Sequence, residues 1–515
     1  MAKQLFLVLL VASACWLCPV VNPARAGVTV VGQVGPNPPG TGSYVTIGGD
    51  RYGEVTVDGG TSLATNSVDL GYNFGGPDLG AAVMRVSGAG SSWTTNDLQV
   101  RDVSVARIEV LDGGYLRTER FSSEEPSPFQ IVVDGDLSTL RVSSQLNLQP
   151  TAGVSTIGVS NGGIFDALNR TVLFYSPTEV TLANGELRAQ ELTNGGLLRG
   201  DGAVLLGYAG ANAGRIEVAD SQRLQLSSIQ TGEFRNDGQI SVHGGEIEFH
   251  LHFINRTDEG ASTSGALTLV DGVARFNRGT FATHDMQNDA QITAVGGEND
   301  LHGRVWSTAN STIAAANNSV LRFHDDVVVD GGRVSVFEGA RAVFLGDLTL
   351  NGAALLAELP GDPANAYGVA EVVGALTIDG VLQIDAAGAA GAQAGDVFPL
   401  VTAAGGVTGS ASLAAAPPLP SGLQWALQTD AYTLSLAVVE GLPGDFNADG
   451  QVDAADYTVW RDGLGAEYQQ SNYHLWRDNY GAALAAASTT NAAPEPGAAL
   501  LWVVAVGTLT ARRTS

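Results

Sequence analysis

The sequence is nearly without lysine and cysteine. Among its 515 residues the one lysine is Lys3 and the two cysteines are Cys15 and Cys18. A chain that begins after them has no lysine for a Schiff base or a phosphate-binding loop. It also has no thiol for catalysis, disulfides, iron–sulfur clusters or cysteine-ligated zinc. These absences exclude several broad classes of enzyme.

Charged residues are scarce, and basic ones most of all. They make up 15% of the chain, against about 25% in ordinary soluble domains. Without Lys3 and Arg25, 24 basic residues face 53 acidic ones, for a formal net charge of −29. Such a chain repels phosphate backbones, so we expect no nucleic-acid partner. An acidic surface instead suits divalent cations.

Residues 1–26 have the composition of a secretory signal peptide. Lys3 precedes an apolar run from Leu5, and Ala24-Arg25-Ala26 offers a small-x-small cleavage site. We therefore expect an exported protein that acts at the cell surface or in the extracellular matrix.

A short phrase recurs along the chain from about residue 50: two alternating apolar positions, a turn containing Gly or Asn, and another apolar pair. It begins at Val55, Met84, Ile108, Ile131, Ile157, Val180, Ile216, Ile240, Leu267, Ile292, Ile313 and Val334. Most successive starts are roughly two dozen residues apart, and the longest gap runs from Val180 to Ile216. Periods in this range, carried by alternating apolar residues, predict an all-β chain with a parallel β-solenoid over 27–350. A string of antiparallel sandwiches is the alternative.

The repeat resembles that of secreted bacterial β-helix proteins of the autotransporter-passenger type. The likeness lies in "VSGAGSSWTTNDLQV" (Val86–Val100) and "NDGQISVHGGEIEF", and it covers roughly residues 45–350. Residues 351–440 are richer in Ala and resemble the terminal β-domain that caps such solenoids. A cap is expected on physical grounds, because the last coil would otherwise expose an unpaired edge.

Residues 445–456 match a twelve-position calcium loop. The predicted ligands are Asp445, Asn447, Asp449, Asp453, Asp456 and the backbone carbonyl of Gln451, with Gly450 at the sharp turn. Calcium prefers about 6–8 oxygen ligands at this spacing. A metal-free acidic loop is the alternative.

With the helix that follows, this loop resembles the dockerin family. "DYTVWRDGLG" (456–465) returns as "NYHLWRDNYG" (472–481), which predicts two short helices packed through their aromatic residues in a module over 441–485. "AEYQQSN" (466–472) stands where the family has a second loop, so we expect one Ca²⁺. Ala454 and Ala455 occupy the partner-recognition positions, which in the family are often Ser or Thr. The resemblance implies a cohesin-like partner.

The C-terminal segment 494–515, after a linker over 486–493, resembles the PEP-CTERM sorting signal. Pro494-Glu495-Pro496 is followed by the uncharged stretch Gly497–Ala511 and then by Arg512-Arg513. The resemblance implies recognition by an exosortase-type processing enzyme. A plain anchor is the alternative, in which the stretch forms one short hydrophobic helix.

Three groups of residues are candidates for other chemistry. Residues 158–162 match G-x-S-x-G, but they fall in a repeat turn rather than before a helix. His243, His250 and His252 could hold a metal or face solvent, and Asp325, Asp326 and Asp330 could join a carboxylate site or cap a turn. We therefore predict no catalytic residue and a structural or adhesive function. A polysaccharide-binding or polysaccharide-degrading β-helix, assembled through the dockerin-like module, is the alternative.

Overall fold

A computed structural model describes most of the chain between residues 27 and 483. The described ranges are 27–71, 80–101, 103–123, 127–148, 154–256, 265–277, 284–337, 339–358, 368–385, 392–416, 419, 422–447, 450–466 and 468–483. The predicted signal peptide, linker and sorting tail lie outside these ranges. The chain divides into two compact units, one of which holds the solenoid while the other contains residues 438–515.

The first half of the solenoid combines short strands with strands that run around a corner. They are β1 Val28–Gly32, β2 Val34–Gly35, β3 Tyr44–Ile47, β4 Gly53–Val57, β5 Ser62–Ala64, β6 Ser67–Leu70, β7 Ala81–Ser87, β8 Ser92–Val100, β9 Val105–Leu111, β10 Tyr115–Ser123, β11 Phe129–Asp134, β12 Thr139–Leu148, β13 Thr156–Ser160, β14 Ile164–Phe174, β15 Glu179–Asn194 and β16 Leu197–Asn212.

The second half is more regular until its last coils. Its strands are β17 Arg215–Val218, β18 Arg223–Ser228, β19 Glu233–Asn236, β20 Gln239–His243, β21 Glu246–His250, β22 His252–Arg256, β23 Ala266–Val270, β24 Val273–Phe276, β25 Met286–Asp289, β26 Gln291–Val295, β27 Glu298–His302, β28 Val305–Ser307, β29 Thr312–Ala316, β30 Val320–Phe323, β31 Val327–Asp330, β32 Arg333–Val336, β33 Arg341–Phe344, β34 Leu348–Glu358, β35 Val369–Val372, β36 Leu376–Asp385, β37 Val397–Ala403, β38 Val407–Ala415, β39 Leu423–Thr429 and β40 Thr433–Glu440.

The coils have three faces, and each face is a parallel sheet. From β17 to β31 a coil contributes three short strands, and each pairs in parallel with the strand three places later. In β15 and β16 one strand passes through all three faces. This parallel pairing of coil on coil confirms the predicted β-solenoid, and the antiparallel-sandwich alternative is wrong.

One column of buried aliphatic residues follows the first face through the solenoid. All twelve residues at which the repeat was predicted to begin lie in it, in register from Val55 to Val334. Leu198 is a further member that the repeat did not predict. It pairs with Val180 on one side and Ile216 on the other, so the longest gap in the repeat contains two short coils. Each side chain in the column is at most 1% exposed, which makes it a continuous part of the core.

A row of buried amides runs beside the aliphatic core on the third face. We call this row the asparagine ladder; its members are Asn194, Asn212, Asn236, Asn255 and Asn288, with Ser307 at its end. In each step Nδ2 donates to the next Oδ1 at 2.8–2.9 Å, and the last amide donates to Ser307 Oγ at 2.9 Å. All six side chains are fully buried. Each of these hydrogen bonds joins one coil to the next, so the ladder fixes the register of successive coils.

Antiparallel strands lie at both ends of the parallel stack. At the start β1 pairs antiparallel with β4, and β2 with β3. At the other end β40 pairs antiparallel with β37. Parallel pairing continues past residue 350, because β34 pairs with β36 and β36 with β38. The predicted cap domain therefore starts as further coils, and the antiparallel closure comes with β40.

The second unit contains the two helices of the described chain, α1 Ala454–Asp462 and α2 Asn472–Asn479. Tyr457 and Trp460 of α1 lie against Tyr473 of α2, with ring centroids 6.4 and 5.2 Å apart. The predicted pair of helices packed through aromatic residues is present. Neither helix of the described ranges is long and apolar enough to cross a membrane, and the apolar stretch 497–511 lies outside those ranges.

Candidate metal centre

The loop before α1 has the turn that its sequence predicts. Gly450 has φ of +85°, a conformation that residues with a side chain rarely adopt. Its backbone N–H donates to Asp445 Oδ2 at 2.9 Å, so the first predicted ligand closes the turn at the sixth position. Asp453 caps the helix, with its Oδ1 accepting from Ala455 N at 2.7 Å. Asp445 and Asp453 are thereby oriented by backbone hydrogen bonds.

Asp456 is the organising residue of the loop. It is fully buried, and its Oδ1 accepts hydrogen bonds from Phe446 N at 2.7 Å and Asn447 N at 3.0 Å. Its Oδ2 accepts from Asp453 N at 2.8 Å, which completes a capping box at the start of α1. A buried carboxylate needs such partners to offset the loss of water. Asp456 therefore ties the beginning of the loop to its end.

The donor set fits calcium in its chemistry. Among the described residues it consists of oxygen donors: the carboxylates of Asp445, Asp453 and Asp456, the side-chain amide of Asn447 and the carbonyl of Gln451. Oxygen-only sets of this kind are bound by Ca²⁺ rather than by Zn²⁺. Asp449, the remaining predicted ligand, lies outside the described residues. Without it, the described part of the chain contains no group of three or more acidic, histidine or cysteine side chains placed to hold a metal.

The second helix holds the end of the loop in place. Trp476 Nε1 donates to the carbonyl of Asp453 at 2.6 Å, and Val452 N donates to Ala482 O at 2.9 Å. At the predicted position of a second loop, Gly465 N donates to Tyr468 O at 2.8 Å and Trp460 Nε1 donates to Gln469 O at 3.0 Å. The described part of that connection is therefore a turn fixed by Trp460.

An aromatic cavity on the helices was not predicted. It has a volume of about 620 Å³ and is lined by Ala454, Tyr457, Tyr473, Trp476, Arg477 and Tyr480. Of the two tryptophans in the predicted aromatic packing, only Trp460 is buried, and Trp476 is half-buried. The missed signal was the length of α2, because eight residues are too few to bury a continuous aromatic face.

The three histidines predicted as a cluster fall on different elements. His243 is exposed at the end of β20, whereas His250 ends β21 and His252 starts β22. His250 Nε2 lies 3.0 Å from Glu248 Oε1, and His252 packs against His284. His250 and His252 lie on different strands, because the buried Leu251 marks a corner between two faces.

The other predicted candidates lie at strand ends and turns, and among them Asp330 is the last residue of β31. Ser160 Oγ donates to Asp134 Oδ1 at 2.6 Å, which, with the amide of Asn161, keeps the pKa of Asp134 below its ordinary value. Asp325 Oδ2 accepts from Gly303 N at 2.8 Å, and Asp326 Oδ1 accepts from Asp347 N at 2.9 Å. No helix follows Ser160, since β14 begins at Ile164, so the nucleophile-elbow geometry is absent there.

Many remaining carboxylates pair with arginines of neighbouring coils. Arg85 Nη1 lies 2.7 Å from Glu54 Oε1 and its Nε lies 2.5 Å from Glu109 Oε2, so one guanidinium joins three successive coils. Glu109 is only 4% exposed. Arg223 Nη2 likewise lies 2.5 Å from Glu248 Oε2 on the next coil. These acids therefore join neighbouring coils.

Comparison of the sequence with models of known protein families gives no match, and no curated protein is significantly similar to it.

Proposed function

We propose that this chain is a non-catalytic structural or adhesion protein, exported to the cell surface or extracellular matrix. The observation that carries the proposal is how the solenoid uses many of its acids, which pair with arginines between coils or cap turns. A glycoside hydrolase would need two carboxylates open to the sugar chain. The solenoid instead supplies a long surface on which many polar groups join one coil to the next.

The helical module adds a calcium-stabilised end to this scaffold. Asp445, Asn447, Asp449, Gln451, Asp453 and Asp456 would hold one Ca²⁺, which supplies charge compensation for four carboxylates in a short loop. Asp456 already joins both ends of the loop, and the hydrogen bond from Trp476 Nε1 to the Asp453 carbonyl holds α2 against it. The module resembles a dockerin, and a cohesin-like protein is the partner that this resemblance suggests.

The proposed location of the protein rests on its C-terminal segment, residues 494–515. The Pro494-Glu495-Pro496 motif, the apolar stretch and Arg512-Arg513 resemble a PEP-CTERM signal, so an exosortase-type enzyme would process the exported chain. Until that step the apolar stretch would retain the protein at the membrane.

The calcium site is tested by isothermal titration of the whole secreted chain with Ca²⁺. We expect one site in the wild type and loss of that site in Asp449→Ala. The matched control is Asp462→Ala, which removes an exposed carboxylate outside the loop. Equal calcium binding by all three proteins would refute the site.

The structural role is tested by localisation and by an activity assay. We expect the wild-type protein in the surface or matrix fraction of its native host, and a chain lacking residues 494–515 in the medium. Incubation with neutral and acidic polysaccharides should release no new reducing or unsaturated ends. Release of such ends by the purified protein would overturn the non-catalytic role.

A further inference from the structure

Three aromatic rings form a row on the outside of the third face. His252 and His284 have ring centroids 5.4 Å apart, and His284 and Trp306 have centroids 5.1 Å apart. His252 starts β22 and Trp306 is the outward residue of β28, so the row crosses three successive coils. We call these three residues the aromatic row. Its rings are half-buried, unlike the phenylalanines in the interior of the same coils.

A cavity of about 340 Å³ opens beside the end of this row. Its lining is His284, Arg304, Val305, Trp306, Asp326 and Val328. Val328 is the register partner of Trp306 on the next coil and extends the apolar floor. Arg304 and Asp326 are exposed, so a guanidinium and a carboxylate border an aromatic surface.

Both charged groups are held by the protein itself. Arg304 Nε donates to Asp285 Oδ2 at 3.2 Å, and the Arg304 backbone N–H donates to the same oxygen at 3.0 Å. Asp326 Oδ1 accepts from the backbone of Asp347 at 2.9 Å. Groups fixed in this way lose little conformational freedom when a ligand binds, which favours affinity.

We infer that the aromatic row and its cavity bind a neutral glycan chain that lies along the stacking direction of the coils. An apolar aromatic floor with a few fixed donors and acceptors is the usual composition of a small-molecule site. The apolar face of a pyranose packs on Trp306 and His284, while its hydroxyls donate to Asp326 and accept from Arg304. The row spans three coils, a length that suits an extended chain rather than a single sugar.

Charge selects a neutral ligand over an anionic one. The arginine that lines the cavity pairs with Asp285, Asp326 lines the same cavity, and the whole chain carries a formal net charge of −27. Uronic acids, phosphates and nucleotides would be repelled by this field. The site stands independently of the structural role proposed above, because neither its residues nor its geometry depends on that role.

The test is calorimetric titration of the whole secreted chain with hexasaccharides. The probes are cellohexaose, xylohexaose, laminarihexaose, mannohexaose and chitohexaose, with hexagalacturonate as the acidic comparison. We expect at least one neutral probe to bind and the acidic probe to bind more weakly. Trp306→Ala should weaken binding about tenfold, and Trp306→Phe should retain most of it, because a ring is still available for packing.

Matched controls separate the site from general effects. Tyr44→Ala removes a ring that is 73% exposed on another coil and should leave binding unchanged. Asp326→Asn should weaken binding because one hydroxyl acceptor is lost. Far-ultraviolet circular dichroism and the melting temperature of Trp306→Ala should match the wild type, since the ring lies outside the core.

Three results would overturn the inference: no binding of any neutral probe, binding that Trp306→Ala leaves unchanged, or tighter binding of hexagalacturonate. These outcomes differ from failure of the structural role, which would show as cleavage of the probe. A bound but uncleaved glycan supports both.

Discussion

Asparagine is the residue that can build a continuous buried ladder along a solenoid. Its amide carries a donor and an acceptor on one short plane, so each side chain can accept from the preceding coil and donate to the following one. Aspartate could only accept, and serine, as at Ser307, ends the run. Asn212 also donates to the Gln239 carbonyl at 3.2 Å, which adds a link to the backbone of the next coil but one.

Replacing one member of the ladder should be costly. Asn236→Ala removes the acceptor for Asn212 Nδ2 and the donor to Asn255 Oδ1, both fully buried. We expect a loss of about 2–4 kcal/mol in the free energy of unfolding, because orphaned buried polar groups retain their desolvation cost. The measurement is the urea midpoint, together with hydrogen exchange of β16 to β22. Asn310→Ala, at an exposed turn, is the control, and an equal effect at both positions would contradict the prediction.

His302 should make stability depend on pH. Its pKa lies below the ordinary histidine value because of burial, then because His324 and Arg275 lie close; Asp300 and Asp325 act in the opposite direction. The folded state therefore favours neutral His302. Its contribution is complete above a pH of about 6.5 and is lost as the pH falls through the lower pKa of the folded state.

The expected result is a melting temperature that falls on acidification from a pH of about 7.5 to about 5 and falls less in His302→Gln. The ring centroids of His302 and His324 are 3.7 Å apart, so a protonated His302 would have little contact with water. The exposed His243→Gln serves as the comparison. If His302→Gln keeps the full slope of the wild type, the assignment is wrong.

At the scale of the coil, the sequence period predicted the strands and their register but missed one coil of the solenoid. Every predicted start lies in the aliphatic column. In each coil, alternate residues of the strand face the buried core, and this burial fixes the register of the strand. The coil at Leu198 escaped notice because its second inward position is Gly200 rather than an apolar residue. A Cβ there would lie 2.0 Å from the Leu182 carbonyl oxygen, and φ is +113°. Close packing of two coils removed the signal on which the period depends.

The asparagine ladder also leaves a pattern in the sequence, on which no prediction was based. An asparagine stands four residues before Leu198, Ile216, Ile240 and Ile292 of the aliphatic column. The role of these residues could not be read from one repeat, because a buried amide becomes favourable only when the next coil supplies its partner.

For the candidate metal loop over 445–456, residue spacing predicted the sharp turn at Gly450 and the helix that follows the loop, since local chain geometry decides both. The hydrogen bond from Trp476 Nε1 to the Asp453 carbonyl depends on how α2 packs, and the spacing of residues in the sequence does not predict it. The aromatic row is similar, because its rings belong to different coils, lie far apart in sequence and meet only through stacking.

Removal of one whole coil should be tolerated. Deleting residues 197–214 removes β16 and joins Gly196 to Arg215. In the shortened chain β15 faces β17, β18 and β19, which pair with β16 in the intact protein. Because each coil packs mainly against its two neighbours, the shortened chain should keep its circular dichroism spectrum and secretion level.

A half-coil deletion is the matched control. Removing residues 206–214 takes away the end of β16 and puts the ladder out of register, so we expect aggregation or degradation. Equal behaviour of the two deletions would show that register between coils is not what stabilises the fold.

At the scale of the whole molecule, the antiparallel end strands protect the solenoid from pairing with other chains. β1 covers β4, and β40 covers β37, so these two edges of the parallel sheets are each closed by an antiparallel strand. A chain lacking residues 27–47 loses β1, β2 and β3. We expect it to self-associate, measured as a rise in mass by light scattering after size-exclusion chromatography. The deletion of 197–214, which keeps both ends, should remain at the wild-type mass; if both behave alike, end protection is not the cause.

The stacking of three parallel faces also determines how the solenoid responds to force. Hydrogen bonds between coils point along the stacking direction, so tension in that direction loads three short ladders at once at each level, and the amides from Asn194 to Ser307 add a fourth. The covalent chain passes from level to level only once per coil. A stretched solenoid should therefore yield in discrete steps, each releasing the chain of one coil, such as the segment from Ile216 to Ile240.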